Sequence, residues 1–447
     1  MKLFSARTLR LAVATVALLG AGLSTPPALA QEEGEQKTKQ TVAMSKDVYE
    51  ALAKAQELIE NKQIDQGMAA LRKVETKPKL SPYEKANIYN FMAYAFYLQE
   101  KYQSAITSYE KVLQQPDLPE GMKINTLYTL AQLYFTIENY KKAVATIEKW
   151  MKVVDKPTET AYLLLGQAYY QLKDYKKALE PIKKGIDLVK ARGEVPKENL
   201  YLLLRVNYFE LGDYKNMARV MRELISHYPK KEYWLTLAGA YSELNQLKKQ
   251  MAILEMLYDS GELEQGAQQL NLANLYMLHE APYKAAKLLE KTMNEGKIEE
   301  NIRNLRLLSQ AYVLAQETDA SIPPLIKAAN KSSDGELEIR LANSYLNLDR
   351  YDEAVEAIRR GLKKGGVKRP DQANIMMGLA LFEQKKYQSA RRAFVAAKSD
   401  RRSTATAEQW ISYINTEIER RAALQGDTLL EKAKEDAAAE QAEEQST

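Results

Sequence analysis

The 447-residue chain has no cysteine, two histidines and three tryptophans. Without a thiol there is no disulfide framework, no cysteine-based metal site, no thiolate nucleophile and no anchor for a thiol-linked lipid. His227 and His279 stand far apart in sequence, so solvent-facing or capping roles are expected of them rather than a shared metal. No phosphate-cradling Gly-x-x-x-x-Gly-Lys loop occurs, because the stretch from Gly361 to Gly366 lacks the lysine and hydroxyl at the right offset. A Gly-x-Ser-x-Gly elbow is missing as well. Acidic pairs such as Asp352 and Glu353 read as solvated faces. Neither a catalytic residue, a cofactor nor a metal is expected, and the chain is not expected to be an enzyme.

Long apolar runs are scarce too. The one candidate, Leu11 to Leu23, follows Lys2, Arg7 and Arg10 and precedes Pro26, Pro27 and the small-residue site at Ala28 to Ala30. Broken by Gly20 and Gly22, it falls short of the ~18 apolar residues of a membrane span. Residues 1–30 are therefore expected to be a signal peptide cleaved after Ala30. A periplasmic location follows as the expectation, with secretion as the lesser one.

What the chain does have is charge, unevenly placed. The whole carries +5, with three bases and no acid in residues 1–30. Residues 426–447 hold seven acids against two bases, a net −5, which leaves +7 on residues 31–425. Residues 359–402 alone hold thirteen bases against three acids. Arg359, Arg360, Lys363, Lys364, Arg391, Arg392, Arg401 and Arg402 define a candidate basic patch for an acidic partner, anionic lipid headgroups or the chain's own tail. A solvated helical surface is the alternative. Nucleic acid is not expected for an exported protein, and membrane contact is expected only through peripheral charge.

The other abundance is repetition. An apolar or aromatic landmark recurs at Leu58, Phe96, Tyr134, Tyr169, Tyr208, Tyr241, Tyr276, Tyr312, Tyr345 and Leu381, at spacings of 33 to 39 residues. Three residues before it stands a small residue, such as Ala131, Gly166 or Gly378, and nine after it another, such as Ala143, Ala178 or Ala390. Six after it there is often a tyrosine, as at Tyr102, Tyr140, Tyr175, Tyr214 and Tyr387. This pattern resembles the tetratricopeptide repeat family, whose unit of about 34 residues is a helical hairpin with small residues at positions 8, 20 and 27. The resemblance implies an all-α solenoid of about ten hairpins over residues 46–399. Small residues at 8 and 20 let the two helices of a hairpin cross closely.

The remaining organisation follows. Residues 31–45 read as a polar linker. Trp410, Ile414 and Ile418 give one apolar stripe, so residues 403–425 are expected to form a capping helix. Residues 426–447, rich in Ala, Glu, Gln and Lys, are expected to be an acidic disordered tail. Pro323 and Pro324 fall inside an expected second helix, which implies either a late start with Ser321 as cap or a hinge.

In such repeats the first helices form a concave wall, and the resemblance points to positions 9 and 12 as its exposed face. Position 9 offers Tyr94, Gln132, Gln167, Asn274, Gln310 and Asn343; position 12 offers Tyr97, Phe135, Tyr170 and Phe209. Amides can pair with an extended backbone, and aromatics add contact area at low entropic cost. These residues are the candidate groove for a protein or peptide segment, unless the aromatics are spent on packing against the next repeat. A periplasmic scaffold or adaptor serving envelope proteins is the expected function. The layout also resembles tetratricopeptide accessory proteins of TonB/ExbB-type energy-transduction systems. Chaperone-like escort in outer-membrane or cell-wall biogenesis and a self-associating structural scaffold are the alternatives.

Overall fold

A computed structural model describes residues 44–444. The expected signal peptide, all but the last two residues of the expected linker, and the last three residues of the tail lie outside the described residues. The described residues form twenty-one helices and no strand, an all-α solenoid of paired helices. They divide into two compact units, one ending at Thr126 and the other beginning at Leu127, within the helix Glu120–Thr136.

In the first unit, Lys46–Glu60 pairs with Ile64–Glu75 and Pro82–Leu98 with Tyr102–Leu113. Val48, Leu52, Ala55 and Ile59 repeat at helical spacing and pack with Met68, Leu71, Ile88 and Met92. A polar latch ties the two hairpins. The carboxylate of Glu84 accepts from the Ser45 amide at 2.9 Å, the Ser45 hydroxyl at 2.5 Å and the Ser81 amide at 2.8 Å. Ser81 closes a capping box by accepting from the Glu84 amide. Burial pushes the Glu84 carboxyl up, but the hydrogen bonds from Ser45 and Ser81 outweigh it and hold the group at about 2.

The second unit continues the pairing from Tyr140–Met151 to Tyr387–Ala397. Its hairpins show why the repeat needs small residues. A Cβ added to Gly166 would lie 2.5 Å from Ile182 Cγ1, and one on Gly378 would lie 2.7 Å from the Phe394 ring. Backbones approach still more closely at Gly335, whose amide donates to the Gly365 carbonyl at 2.8 Å.

All ten hairpins turn in the same way. The residue four after each landmark is left-handed: Lys62, Glu100, Glu138, Lys173, Gly212, Asn245, Glu280, Gln316, Asp349 and Lys385 all have φ between +53° and +67°. The next amide then donates to the landmark carbonyl at 2.8 or 2.9 Å, which closes a Schellman motif. Only one of the ten is glycine, so the hydrogen bond and the packing beyond it outweigh a left-handed cost of about 1–2 kcal/mol at the others.

Two expectations about the second unit need correction. The helix Thr318–Lys331 starts before Ser321 and runs unbroken through Pro323 and Pro324, so it is neither a late start nor a hinge. Ser321 does not cap it, since its hydroxyl donates to the Thr318 carbonyl at 2.6 Å. The prolines leave the carbonyls of Asp319 and Ala320 without their usual helical donors, yet the helix is not broken there. Pro181 likewise sits inside the unbroken helix Tyr175–Ala191. Further on, the expected capping helix is present, but it does not stop before the tail and runs on as one continuous helix, Arg401–Glu444. Ala407 and Ile414 are buried against the last hairpin, and Trp410 stacks on Phe394 with ring centroids 5.5 Å apart. Past Ile418 the helix continues because Ala, Glu, Gln and Lys are strong helix formers and Gly426 alone does not stop it.

Candidate binding surface

Tyrosines at the landmark position are structural. Tyr276 donates to Glu255 at 2.9 Å, Lys284 pairs with the same carboxylate at 2.8 Å, and the Lys284 ammonium lies 5.7 Å from the Tyr276 ring. Tyr169 likewise donates to Glu148 at 2.6 Å and has Lys177 over its ring at 5.9 Å, but that lysine pairs with Asp174. Each tyrosine–glutamate bond joins the first helix of one hairpin to the second helix of the hairpin before it. Burial and the adjacent carboxylate push both phenols well above the usual tyrosine range.

The residue after the landmark behaves differently. Tyr97 lies 6.0 Å from Tyr102, Phe135 5.3 Å from Tyr140, Tyr170 5.6 Å from Tyr175, Phe209 6.3 Å from Tyr214 and Phe382 5.4 Å from Tyr387, ring centroid to centroid. Each candidate aromatic therefore packs across its own hairpin turn, a partnership the sequence expectation did not include. The rings keep an open side all the same: Tyr97, Phe135 and Tyr170 are half-buried and Phe209 is 46% exposed. In the first unit Tyr94 packs against the core beside Tyr97. Burial next to these two pushes the Tyr109 phenol up to about 12.

The candidate amides fall into two groups. Gln132 and Gln167 are half-buried, whereas Asn274, Gln310 and Asn343 are exposed on the successive first helices Gly266–Leu278, Ile302–Leu314 and Glu336–Leu346. Asn274 donates to its own helix at Leu270, 2.7 Å. Arg303, Arg306 and Arg340 are exposed on the last two of these helices and make no ion pair among the described residues. The first two helices contain no acid, and of the third's two, Glu338 is buried. Val313 and Leu314 add exposed apolar area at the end of one and Leu278 at the end of another.

The candidate basic patch is partly spent inside the fold. Arg360 and Lys364 hold Glu338, which is 2% exposed, at 3.1 and 3.0 Å. Arg359 pairs with Glu356 at 3.0 Å, Arg402 with Asp400 at 2.6 Å, and Arg392 donates to the Ser389 hydroxyl at 2.9 Å. Lys363, Arg391 and Arg401 are left exposed without an acidic partner among the described residues. Nearby, Arg369 and Ser403 clasp the fully buried Asp371, and the arginine beside it holds that carboxyl far below the usual range.

No group of three or more His, Asp or Glu side chains with metal-binding geometry occurs among the described residues. His227 ends the helix Tyr214–His227 and stacks on Tyr201, and His279 follows the helix Gly266–Leu278 as its cap. No described helix is long and apolar enough to cross a membrane.

One charged group was overlooked by the sequence reading. Arg205 occupies position 8 of its repeat, where a small residue is the rule, and its Nε is buried without a hydrogen-bond partner. The signal was an arginine where helix crossing calls for alanine or glycine.

A family model described as tetratricopeptide repeat matches residues 339–404, and one described as anaphase-promoting complex, cyclosome, subunit 3 matches residues 98–185. Comparison with curated proteins gives no match. Among solved structures, a tetratricopeptide repeat protein from Parabacteroides merdae ATCC 43184 is 19% identical with a TM-score of 0.36, covering 60% of this chain and 99% of its own. YrrB, described as a TPR protein with an unusual peptide-binding site, is 18% identical with a TM-score of 0.33, covering 43% and 99%. MamA from Desulfovibrio magneticus RS-1 is 17% identical with a TM-score of 0.33, covering 40% and 95%. With small residues at the helix crossings, the same turn in ten successive hairpins and family models matching toward both ends, the chain is a tetratricopeptide repeat protein.

Proposed function

We propose that this protein is a scaffold that holds an extended segment of another protein along the first helices of its second unit. Tetratricopeptide repeat families are in general interaction scaffolds rather than enzymes. The observation that carries the reading is the row of exposed amides and unpaired arginines on Gly266–Leu278, Ile302–Leu314 and Glu336–Leu346. The hairpin core uses none of them, and the first two helices carry no acid to neutralise the row. Amides match the donors and acceptors of an extended backbone, and the adjoining Leu278, Val313 and Leu314 supply apolar contact.

We further place the scaffold in the periplasm, serving an envelope assembly such as a TonB-type transport system. The basic start, apolar stretch and small-residue site of residues 1–30 support export, and the succession of such a leader, about ten repeats and an acidic end supports the assembly role. A photocrosslinking residue placed at Gln310 or Asn343 in living cells tests both points. Crosslinks to a defined segment of one envelope protein are the expected result. Recovery of peptidoglycan or lipid alone, or of cytoplasmic proteins alone, would overturn the reading.

A further inference from the structure

Arg205 breaks the packing rule of the repeat. Gly166 stands at the equivalent place one hairpin earlier, and Ala273, Ala342 and Gly378 stand there in later ones. An arginine cannot make that close crossing, and across the hairpin Met217 replaces the small residue found at Ala178. The guanidinium has no ion pair among the described residues, and burial pushes its pKa down. The titratable groups that act on it are Tyr170 and Tyr233, from the hairpins before and after, and no carboxylate is among them. Nearby acids are engaged elsewhere: Glu198 takes both Lys230 and the Tyr233 hydroxyl, and Glu210 lies beside Tyr175.

A half-buried cation without a counter-charge works against folding, because its lost hydration is not replaced. It contributes nothing to the crossing it disturbs. An incoming anion would supply what the fold withholds. A guanidinium presents a planar fork that matches a carboxylate, and Phe209 lies one helical turn further on with an open face. Arg303, Arg306 and Arg340 follow on later first helices. These four are all the arginines on first helices of the second unit, and none has a carboxylate partner among the described residues. Arginines on the second helices and the C-terminal helix, by contrast, include several held by Glu338, Glu356, Asp400 and Glu417.

We propose that the segment held by the second unit is acidic, with one of its carboxylate side chains docking on Arg205 and others on Arg303, Arg306 and Arg340. The proposal rests on the reading of these first helices as the binding surface and adds the chemical class of the partner.

Fluorescence anisotropy with the full-length chain at low salt tests it, using a labelled Glu-rich peptide and the same peptide with Gln at every Glu. The Glu peptide is expected to bind and the Gln peptide to bind at least about tenfold more weakly. Arg205→Met should weaken the Glu peptide by about thirtyfold while leaving the melting temperature unchanged or raised, since the charge has no partner to lose. Arg205→Lys, which keeps the charge but not the fork, should fall between. Equal binding of the two peptides would overturn the acidic class while leaving the segment-binding reading to the crosslinking result. The proposal is also overturned if Arg205→Met binds the Glu peptide as the parent does, if both Arg205 variants melt lower, or if inorganic phosphate displaces the peptide at equal concentration. Tighter Glu-peptide binding after removal of residues 426–447 would support it, because the chain's own acids would then be competing for the same arginines.

Discussion

The amide of Asp174 donates to the carbonyl of Tyr169 at 2.9 Å, which closes the turn around Lys173, held at φ +60°. A side chain at that φ is strained, so Lys173→Gly should raise stability by about 0.5 kcal/mol, the relief of strain being partly offset by a freer unfolded chain. Lys173→Val should lower it by about 1–2 kcal/mol. Shifts of the urea midpoint in opposite directions are the expected outcome.

Gly378 and Gly239 should respond oppositely to the same substitution. A Cβ on Gly378 meets Phe394, whose ring is already stacked on Trp410 and has no room to retreat, so Gly378→Ala should cost about 1–3 kcal/mol. Gly239 lies in the helix Lys231–Glu243 with nothing within 4 Å of an added Cβ, and Gly239→Ala should stabilise by about 0.5–1 kcal/mol. Thermal melting of the two variants checks the contrast.

Acid should loosen the first unit. The folded value of Glu84 is depressed from the usual 4.5 to about 2, so its contribution is present above pH 4.5 and is lost as pH falls toward 2. The melting temperature of the parent chain should exceed that of Glu84→Gln most above pH 4.5, with the two curves converging near pH 2.

Replacing Phe135 and Tyr170 together by Ala should weaken capture of a segment that lies along the first helices of the second unit, without unfolding the array. Because each ring also packs on Tyr140 or Tyr175, the double variant should lose about 0.5–1.5 kcal/mol per pair. Substituting Tyr140 and Tyr175 instead should cost similar stability and leave capture intact. Pull-down beside circular dichroism melting separates the two roles, and unchanged capture by the first variant would remove these rings from the binding surface.

The repeat was legible because close helix crossing admits few residues, and Gly166, Ala178 and Ala390 recur where no larger side chain fits. The turns were not legible, since the left-handed residues are Lys, Glu, Gln, Asp and Asn as readily as glycine. Their conformation is imposed by the hydrogen bond to the landmark carbonyl rather than by local preference. Charge summed along a window misled in a different way. Residues 359–402 look strongly basic, yet Glu338, which neutralises Arg360 and Lys364, lies outside that window in sequence and inside it in space. The tail composition reads as disorder because it has few large apolar residues, although the same residues propagate a helix that has already been nucleated by Trp410 and Ile414. Arg205 was passed over because it departs from the pattern that reveals the repeats around it.

The aromatic contact across five of the ten turns joins rings only five residues apart in the chain. A hairpin can therefore acquire its own stabilising contact as soon as that short stretch is free, without waiting for any later part of the polypeptide. For a chain emerging end-first during synthesis, such locality would let each new repeat fold onto the last, so that the stretch left exposed to proteases would stay short.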